Sequence, residues 1–250
     1  MMVARAGSPG VLDCSSPASA LVSIAAVLGR SPENVRAACR SVNPEDRTSG
    51  DLLAALELPA LPDNFEALYF HGSRSLDPSS FRRLGIRPLG AMLEDIWAML
   101  YGLLQDERRA DEWQALREEV EAGGGAVGDR YHARVSCSWG PFAFLIRDVA
   151  VQRNGRWHDY LKGPEIVEDI CWCVSRSWGI DLFGRFHRAS TPCLVRFHGP
   201  GNSGALAAAL EYLVCFGHEI DLTLDCGYCF DGANETVPAA AVEDVEILSE

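Results

Sequence analysis

The sequence predicts an α+β fold with a mixed or antiparallel sheet. Helical and strand-like segments are interspersed along the 250 residues without the regular βαβ rhythm of a doubly wound fold. Hydrophobic residues make up 48% of the chain and charged residues 23%, which is typical of an ordinary globular protein. A chain of this length can bury a sizeable core without disulfide bonds. Nine cysteines, most of them in apolar segments, are typical of reduced core residues.

The first 62 residues predict short helices. Ser31 and Pro32 form an N-cap and first-turn pair, and apolar side chains follow at helical spacing. A further short helix ends in the proline-containing stretch Leu58–Pro62. We therefore expect a helical N-terminal segment over residues 1–62 and a second domain over residues 63–250.

A strand, a polar loop and a short helix are predicted next. The run Leu68–Phe70 is typical of a buried strand, and His71–Arg74 is expected to form a loop after it. Asp77 and Pro78 begin a short helix that ends at Gly85. Two amphipathic helices are then predicted over about residues 91–122 as a helical insertion in the second domain.

The remaining segments alternate between strand and helix patterns. Helices are predicted after Gly163-Pro164 and over Gly204–Phe216. The predicted strands are Phe142–Val151, Cys193–Phe197, Ile220–Leu224 and Val242–Leu248.

The charge of the chain limits its partners. The net charge of −13 argues against a surface that holds nucleic acid by charge. A local patch of arginines could still contact phosphates, and it consists of Arg74, Arg82, Arg83 and Arg87. No apolar run reaches the roughly 18 to 20 residues of a membrane-spanning helix. The residues before Asp13 lack the apolar core of a secretory signal. We expect a cytoplasmic protein with no membrane partner.

The sharpest candidate site is the run His71-Gly72-Ser73-Arg74 after the predicted strand. Gly72 lets a ligand approach the backbone, whose N–H and C=O groups suit an amide such as nicotinamide. His71 can bond a ribose hydroxyl, and Arg74 can bond a phosphate. The alternative is structural, with His71 at a strand end and Gly72 in a turn.

This run resembles a known sequence block. Tyr69–Arg74, followed by a short helix and Leu84-Gly85-Ile86, is similar to the first conserved block of the ADP-ribosyltransferase superfamily. The resemblance implies a split, mostly antiparallel sheet with a cleft between its halves. It also implies that NAD is the substrate and that His71 and Gly72 hold its nicotinamide-ribose end.

The same resemblance implies a stacking tyrosine and a late glutamate. Tyr131 and Tyr160 compete for the first role, and we favour Tyr160 because it precedes a helix start with free backbone N–H groups. Glu235 stands before Val-Pro and the last predicted strand, like the catalytic acid of the terminal block. That segment lacks a Glu-x-Glu or Gln-x-Glu pair, which argues against arginine as the acceptor. Glu165 and Glu168 are the rival acids.

Metal binding is a separate alternative. Cys226-Gly227-Tyr228-Cys229 has the spacing of half a zinc site, and Cys171, Cys173 and His218 are the other available ligands. The pair Cys171 and Cys173 has the wrong spacing, so we predict no metal site.

The resemblance implies an NAD-dependent ADP-ribosyltransferase, which is the function we expect. Such a glycosyltransferase cleaves the nicotinamide-ribose bond and transfers ADP-ribose to an acceptor, which the sequence does not identify. By analogy, a toxin or defence effector would use this activity. One alternative is a non-catalytic nucleotide- or partner-binding module on the same fold. Another is an NAD glycohydrolase, in which water is the acceptor.

Overall fold

The computed structural model describes residues 10–44, 49–104, 107–122, 140–152 and 158–249. The chain divides into two compact units, each built from three stretches of sequence. Unit 1 contains the described parts of Met1–Phe70, Ala143–Ala150 and Arg196–Phe230. Unit 2 contains the described parts of His71–Phe142, Val151–Val195 and Asp231–Glu250. The predicted boundary at residue 62 stays a prediction.

Helices and strands are interspersed along the described chain. The helices are α1 (Pro17–Leu28), α2 (Pro32–Ser41), α3 (Ser49–Ala55), α4 (Ser80–Leu84), α5 (Leu89–Gly102), α6 (Ala110–Glu121), α7 (Arg147–Ala150), α8 (Glu165–Trp178), α9 (Leu182–Ala189) and α10 (Ser203–Gly217). The strands are β1 (Val11–Leu12), β2 (Phe65–Ser75), β3 (Phe142–Phe144), β4 (Thr191–Gly201), β5 (Cys229–Asp231) and β6 (Val242–Ile247). Two 3-10 turns span Leu224–Cys226 and Ala239–Ala241.

The strands form a sheet in the order β5-β3-β2-β4-β6, and β1 pairs with β2 outside this path. The short β1 runs parallel to β2, whereas β3 runs antiparallel to it with Phe144 opposite Phe70. The predicted α+β fold class is therefore confirmed. A division of the sheet into two halves around a cleft stays a prediction.

The core of unit 1 is formed by helices against one part of the sheet. Helix α10 is almost wholly apolar and buried, and it packs against α1 and α2. Ser31 caps α2 by accepting a hydrogen bond from the amide of Asn34, as the sequence predicts. The ring of Tyr69 on β2 lies 5.8 Å from that of Phe197 and 5.0 Å from that of Phe230. Aromatic rings from three strands thus fill the space beside the sheet.

The core of unit 2 is a helical cluster contributed by α5, α6, α8 and α9. Trp97 and Trp113 pack edge to face at its centre, with ring centroids 5.2 Å apart. Helix α8 ends at Gly179, whose φ of 68° provides the left-handed C-cap expected from the sequence. Two of these helices, α5 and α6, occupy the stretch predicted as a helical insertion.

Three predicted segments differ from the structure. Strand β2 continues to Ser75, so His71–Arg74 is strand rather than loop. The predicted strand Phe142–Val151 stops at Phe144, and α7 follows because the amides of Val149 and Ala150 bond to the carbonyl of Ile146. The predicted strand Ile220–Leu224 is absent.

The last of these segments carries a strand-like pattern that local hydrogen bonds override. The amide of Ile220 donates to the carbonyl of Cys215, which closes the end of α10. Leu224 is 72% exposed, so the alternation of apolar residues does not line a buried face. No helix among the described residues is long and apolar enough to cross a membrane.

Candidate functional site

His71 lies in the second half of β2, within unit 2. Its Nδ1 is 2.7 Å from the carbonyl oxygen of Phe142, and its ring meets the edge of Phe81 at 6.0 Å. Burial lowers the pKa of His71 below its ordinary value, although the bond to the carbonyl opposes this effect. A carbonyl only accepts hydrogen bonds, so Nδ1 carries the proton in the neutral ring. The ring therefore offers Nε2 as a hydrogen-bond acceptor.

The segment Gly140–Phe142 links His71 to the turn before Glu235. Three consecutive carbonyls of this segment accept hydrogen bonds: Phe142 from His71, Pro141 from the amide of Gly232 at 3.0 Å, and Gly140 from the amide of Asn234 at 3.0 Å. A Cβ on Gly232 would lie 2.6 Å from Cδ of Pro141, so a side chain does not fit there. One short segment thus holds both His71 and the turn that carries the predicted acid.

A second connection joins the same two sequence blocks. Ile86, at the end of the first block, exchanges two backbone hydrogen bonds of 3.0 Å with Val237 of the terminal block. Gly85 has a φ of 74°, and a Cβ there would lie 2.0 Å from the carbonyl oxygen of Val237. The glycine predicted to end α4 is therefore also required for close approach to the terminal block.

Glu235 lies at the exposed end of a tight turn. Its amide donates to the carbonyl of Gly232 at 2.8 Å, and the side chain of Asp231 accepts a bond from the amide of Ala233. Ala233 and Asn234 have positive φ values of 50° and 70°. These two residues reverse the chain and leave Glu235 exposed just before the Val237 pairing.

Arg74 is a buried structural residue in this structure. It is 4% exposed, and its guanidinium donates to Ser190 Oγ at 3.0 Å and to the carbonyls of Leu161, His187 and Ser190 at 3.3, 2.7 and 3.1 Å. These bonds occupy Nε, Nη1 and Nη2 within the protein. The geometry therefore does not support the predicted phosphate contact by Arg74, while Gly72 and Ser73 remain half-buried between His71 and Arg74.

Arg74 also fixes the segment that contains Tyr160. Leu161, whose carbonyl Arg74 binds, directly follows Tyr160. The ring of Tyr160 packs against that of His158, with centroids 4.6 Å apart and planes at 70°. His158 Nε2 in turn lies 2.9 Å from the carbonyl of Gly163, and Nδ1 lies 3.7 Å from Glu165. The rival residue Tyr131 lies outside the described residues.

One segment and one residue of this region carry no functional prediction from the sequence, namely Gly140–Phe142 and His158. The Gly-Pro pair of the segment is a turn signal that could have indicated it. His158 stands two positions before Tyr160, and no local pattern predicts that their rings pack together. The rival acids Glu165 and Glu168 lie half-buried in the first turn of α8, where the helix dipole favours a carboxylate.

The other three arginines of the predicted basic patch are paired with acids. The ion pairs are Arg82 with Asp244 at 2.5 Å, Arg83 with Asp77 at 2.7 Å and Arg87 with Asp95 at 2.6 Å. Because Arg74 is buried, the patch presents little uncompensated positive charge. The structure thus gives no support to nucleic-acid contact at this place.

The cysteine set considered for zinc is not assembled among the residues that the structure describes. Cys229 is exposed on β5, and its partner in the Cys-x-x-Cys pair, Cys226, is buried. Cys171 and Cys173 lie on α8, where burial raises the pKa of both thiols, that of Cys173 to about 11. Of these four cysteines, Cys226 alone belongs to a cluster of potential metal ligands among the described residues.

The chain matches no protein-family model, no curated protein and no solved structure. Its function is therefore inferred from the residues described above. Among them, the strongest feature is the association of the His71 strand with the Glu235 turn through Gly140–Phe142.

Proposed function

We propose that this chain is an NAD-dependent ADP-ribosyltransferase. The observation that supports this function most strongly is that Gly140–Phe142 binds both His71 and the turn leading to Glu235. The two blocks that resemble the superfamily are 164 positions apart, counted from His71 to Glu235 (235 − 71 = 164). Their association is what a shared NAD site requires, and chain proximity does not account for it.

His71 and Gly72 bind the nicotinamide-ribose end of NAD in this proposal. Neutral His71 has Nδ1 committed to the carbonyl of Phe142, so Nε2 accepts a hydrogen bond from a ribose hydroxyl. The backbone of Gly72 pairs with the carboxamide of nicotinamide. The ring of Tyr160 stacks on nicotinamide, and Arg74 acts as a positioning residue through the carbonyl of Leu161.

Glu235 supplies the negative charge that the transition state needs. As the bond between nicotinamide and ribose C1′ breaks, its electron pair leaves with the nicotinamide nitrogen and positive charge develops on the ribose. The carboxylate bonds a ribose hydroxyl and stabilises this oxocarbenium-like centre. The acceptor then donates a lone pair to C1′ and loses a proton. Water performs this last step when no other acceptor is present.

The test is nicotinamide release from NAD by purified protein, followed by chromatography. We expect slow release by the wild type and a loss of about 10²- to 10³-fold in kcat for Glu235→Gln, because the variant removes a charge that stabilises the transition state. Glu235 is exposed, so this variant should fold normally. Glu33→Gln, an exposed substitution on α2, is the matched control and should retain full activity.

Two further variants distinguish the alternatives. His71→Ala should also abolish release, and circular dichroism checks that it remains folded. Glu165→Gln tests the rival acid, and a loss confined to this variant would move the catalytic carboxylate to α8. NAD binding without any release by the wild type would favour the non-catalytic module. Absence of both binding and release would refute the proposed function.

A further inference from the structure

Unit 1 contains a buried cluster of potential metal ligands outside the proposed NAD site. Glu211 and Cys215 are one helical turn apart on α10, and Cys226 ends the 3-10 turn Leu224–Cys226. One ligand atom from each of the three residues lies within 4.8 Å of the other two. Glu211 is 6% exposed and both cysteines are 0% exposed. The cluster therefore joins the last turns of α10 to the segment that follows it.

The distances within the cluster match a tetrahedral zinc site. With zinc–sulfur bonds of about 2.3 Å and zinc–oxygen bonds of about 2.0 Å, tetrahedral angles place two sulfurs about 3.8 Å apart and a sulfur and an oxygen about 3.5 Å apart. The two Sγ atoms of Cys215 and Cys226 are 4.0 Å apart. Cys215 Sγ lies 3.5 Å from Glu211 Oε1. The ligand atoms of Glu211 and Cys226 lie within 4.8 Å of each other, so the three side chains are close enough to converge on one ion.

The chemistry of the cluster also favours a cation. A carboxylate is costly to bury unless it is hydrogen-bonded or coordinated. Thr223 Oγ1 donates to Glu211 Oε1 at 2.8 Å and lies 3.8 Å from Cys226 Sγ. The hydroxyl binds the same carboxylate oxygen that faces Cys215, so it orients this oxygen toward the two sulfurs, as a hydrogen-bond partner of a metal ligand commonly does. Two sulfurs with one carboxylate suit zinc better than magnesium or calcium, which prefer oxygen ligands alone.

We propose that Glu211, Cys215 and Cys226 bind one Zn²⁺ ion, with water as the fourth ligand. Each thiol loses its proton to solvent as its zinc–sulfur bond forms, so that binding releases two protons. The ion holds the turn Leu224–Cys226 against α10, immediately before β5. This ligand set shares only Cys226 with the Cys-x-x-Cys pair in the sequence. It is independent of the proposed NAD chemistry, because none of its residues belongs to that site.

The test measures zinc in protein purified from zinc-supplemented medium. We expect about one zinc per chain in the wild type and in Cys229→Ser, and a more than about tenfold weaker affinity in Cys215→Ala and Cys226→Ala. Cys193→Ala is the matched control, because Cys193 is equally buried and lies outside the cluster. Glu211→Gln keeps the shape of the side chain and should also weaken zinc binding.

Cobalt substitution provides a readout that does not depend on the folding of a variant. The wild type loaded with Co²⁺ should show thiolate-to-cobalt charge-transfer absorption and the visible bands of a tetrahedral site. Zinc-free wild type after supplementation would overturn the proposal. Loss of zinc in Cys229→Ser as large as that in Cys226→Ala would replace the ligand set with the Cys-x-x-Cys pair. A disulfide between Cys215 and Cys226, detected by mass spectrometry in the purified protein, would also overturn it.

Discussion

Substitution of Gly85 by alanine should destabilise unit 2 strongly. Gly85 has φ 74° and ψ −164°, a backbone conformation that is essentially confined to glycine. An added Cβ would lie 2.0 Å from the carbonyl oxygen of Val237 and 2.9 Å from the amide nitrogen of Ala239. Both neighbours are backbone atoms, so neither can move aside by a side-chain rotation. The chain must instead separate Ile86 from Val237.

The expected loss follows from these two effects. Forcing an alanine into this conformation costs about 2 kcal/mol. Breaking the two hydrogen bonds between Ile86 and Val237 costs about 1 kcal/mol each. We therefore expect the free energy of unfolding to fall by about 4 kcal/mol.

Tryptophan fluorescence during urea unfolding measures this loss. All six tryptophans of the sequence fall within the ranges of unit 2, and Trp97 and Trp113 are buried in its helical core. Gly90→Ala is the matched control, because no atom lies within 4 Å of its added Cβ and the residue is in α5. Alanine there should stabilise the helix by up to about 1 kcal/mol. A loss below about 1 kcal/mol in Gly85→Ala would refute the close approach to the terminal block.

Three further results are expected. His71 has a pKa below its ordinary value of 6.5, so the unfolded chain binds more protons than the folded chain as the pH falls through that value. The urea midpoint of unit 2 should therefore decrease between about pH 7.5 and about pH 5.5, and His71→Asn should reduce this decrease. The same decrease of the urea midpoint in the variant and in the wild type would contradict this expectation. Arg74→Met should cost about 3 kcal/mol in urea unfolding, because it leaves four acceptor groups without their donor, three of them in buried hydrogen bonds. Substitution of the exposed Arg109 by methionine is the control and should leave the urea midpoint unchanged. Tyr212→Phe removes the 2.6 Å hydrogen bond to Asp148 and should lower the free energy of unfolding of unit 1 by about 2 kcal/mol. Amide hydrogen exchange in α10 should then become about 30-fold faster. An unchanged exchange rate would show that this hydrogen bond does not stabilise unit 1.

The elements that the sequence predicted well are those with signals inside a few residues. Ser31 and Pro32 begin α2, and Gly179 ends α8, because a cap acts on backbone groups three or four positions away. The final strand Val242–Ile247 and the strand around Cys193 also appear where β-branched and apolar residues alternate or cluster.

The errors arose where distant residues decide the local structure. Residues after Phe144 have a strand-like composition, yet the segment turns into α7, where Asp148 meets Tyr212, 64 positions away. Arg74 is predicted to bind a phosphate because it ends a run of hydrogen-bond donors, His71-Gly72-Ser73-Arg74, and a guanidinium suits an anion. Its actual acceptors are 87 to 116 positions away, and no local pattern identifies them.

The residues of the candidate site divide in the same way, into those with a local sequence signal and those defined only by distant contacts. The resemblance to two superfamily blocks selects His71 and Glu235 as candidate residues, and the local pattern places Gly85 at the end of a helix. The sequence could not identify Gly140–Phe142 as the segment between them, because a Gly-Pro pair predicts a turn without naming what the turn binds. Pairing of Ile86 with Val237 is likewise a contact between residues far apart in sequence.

The alternation of the two units along the chain determines how the protein can be made and dissected. The backbone passes from one unit to the other five times, after residues 70, 142, 150, 195 and 230. The ribosome must therefore synthesise the chain up to residue 230 before all segments of unit 1 are present. Unit 2 is complete only after the last stretch, residues 231–250, has been synthesised. We therefore expect early folding on the ribosome to be limited to local helices such as α1 and α2. No single truncation yields either unit intact, so each must be studied by point substitution within the whole chain.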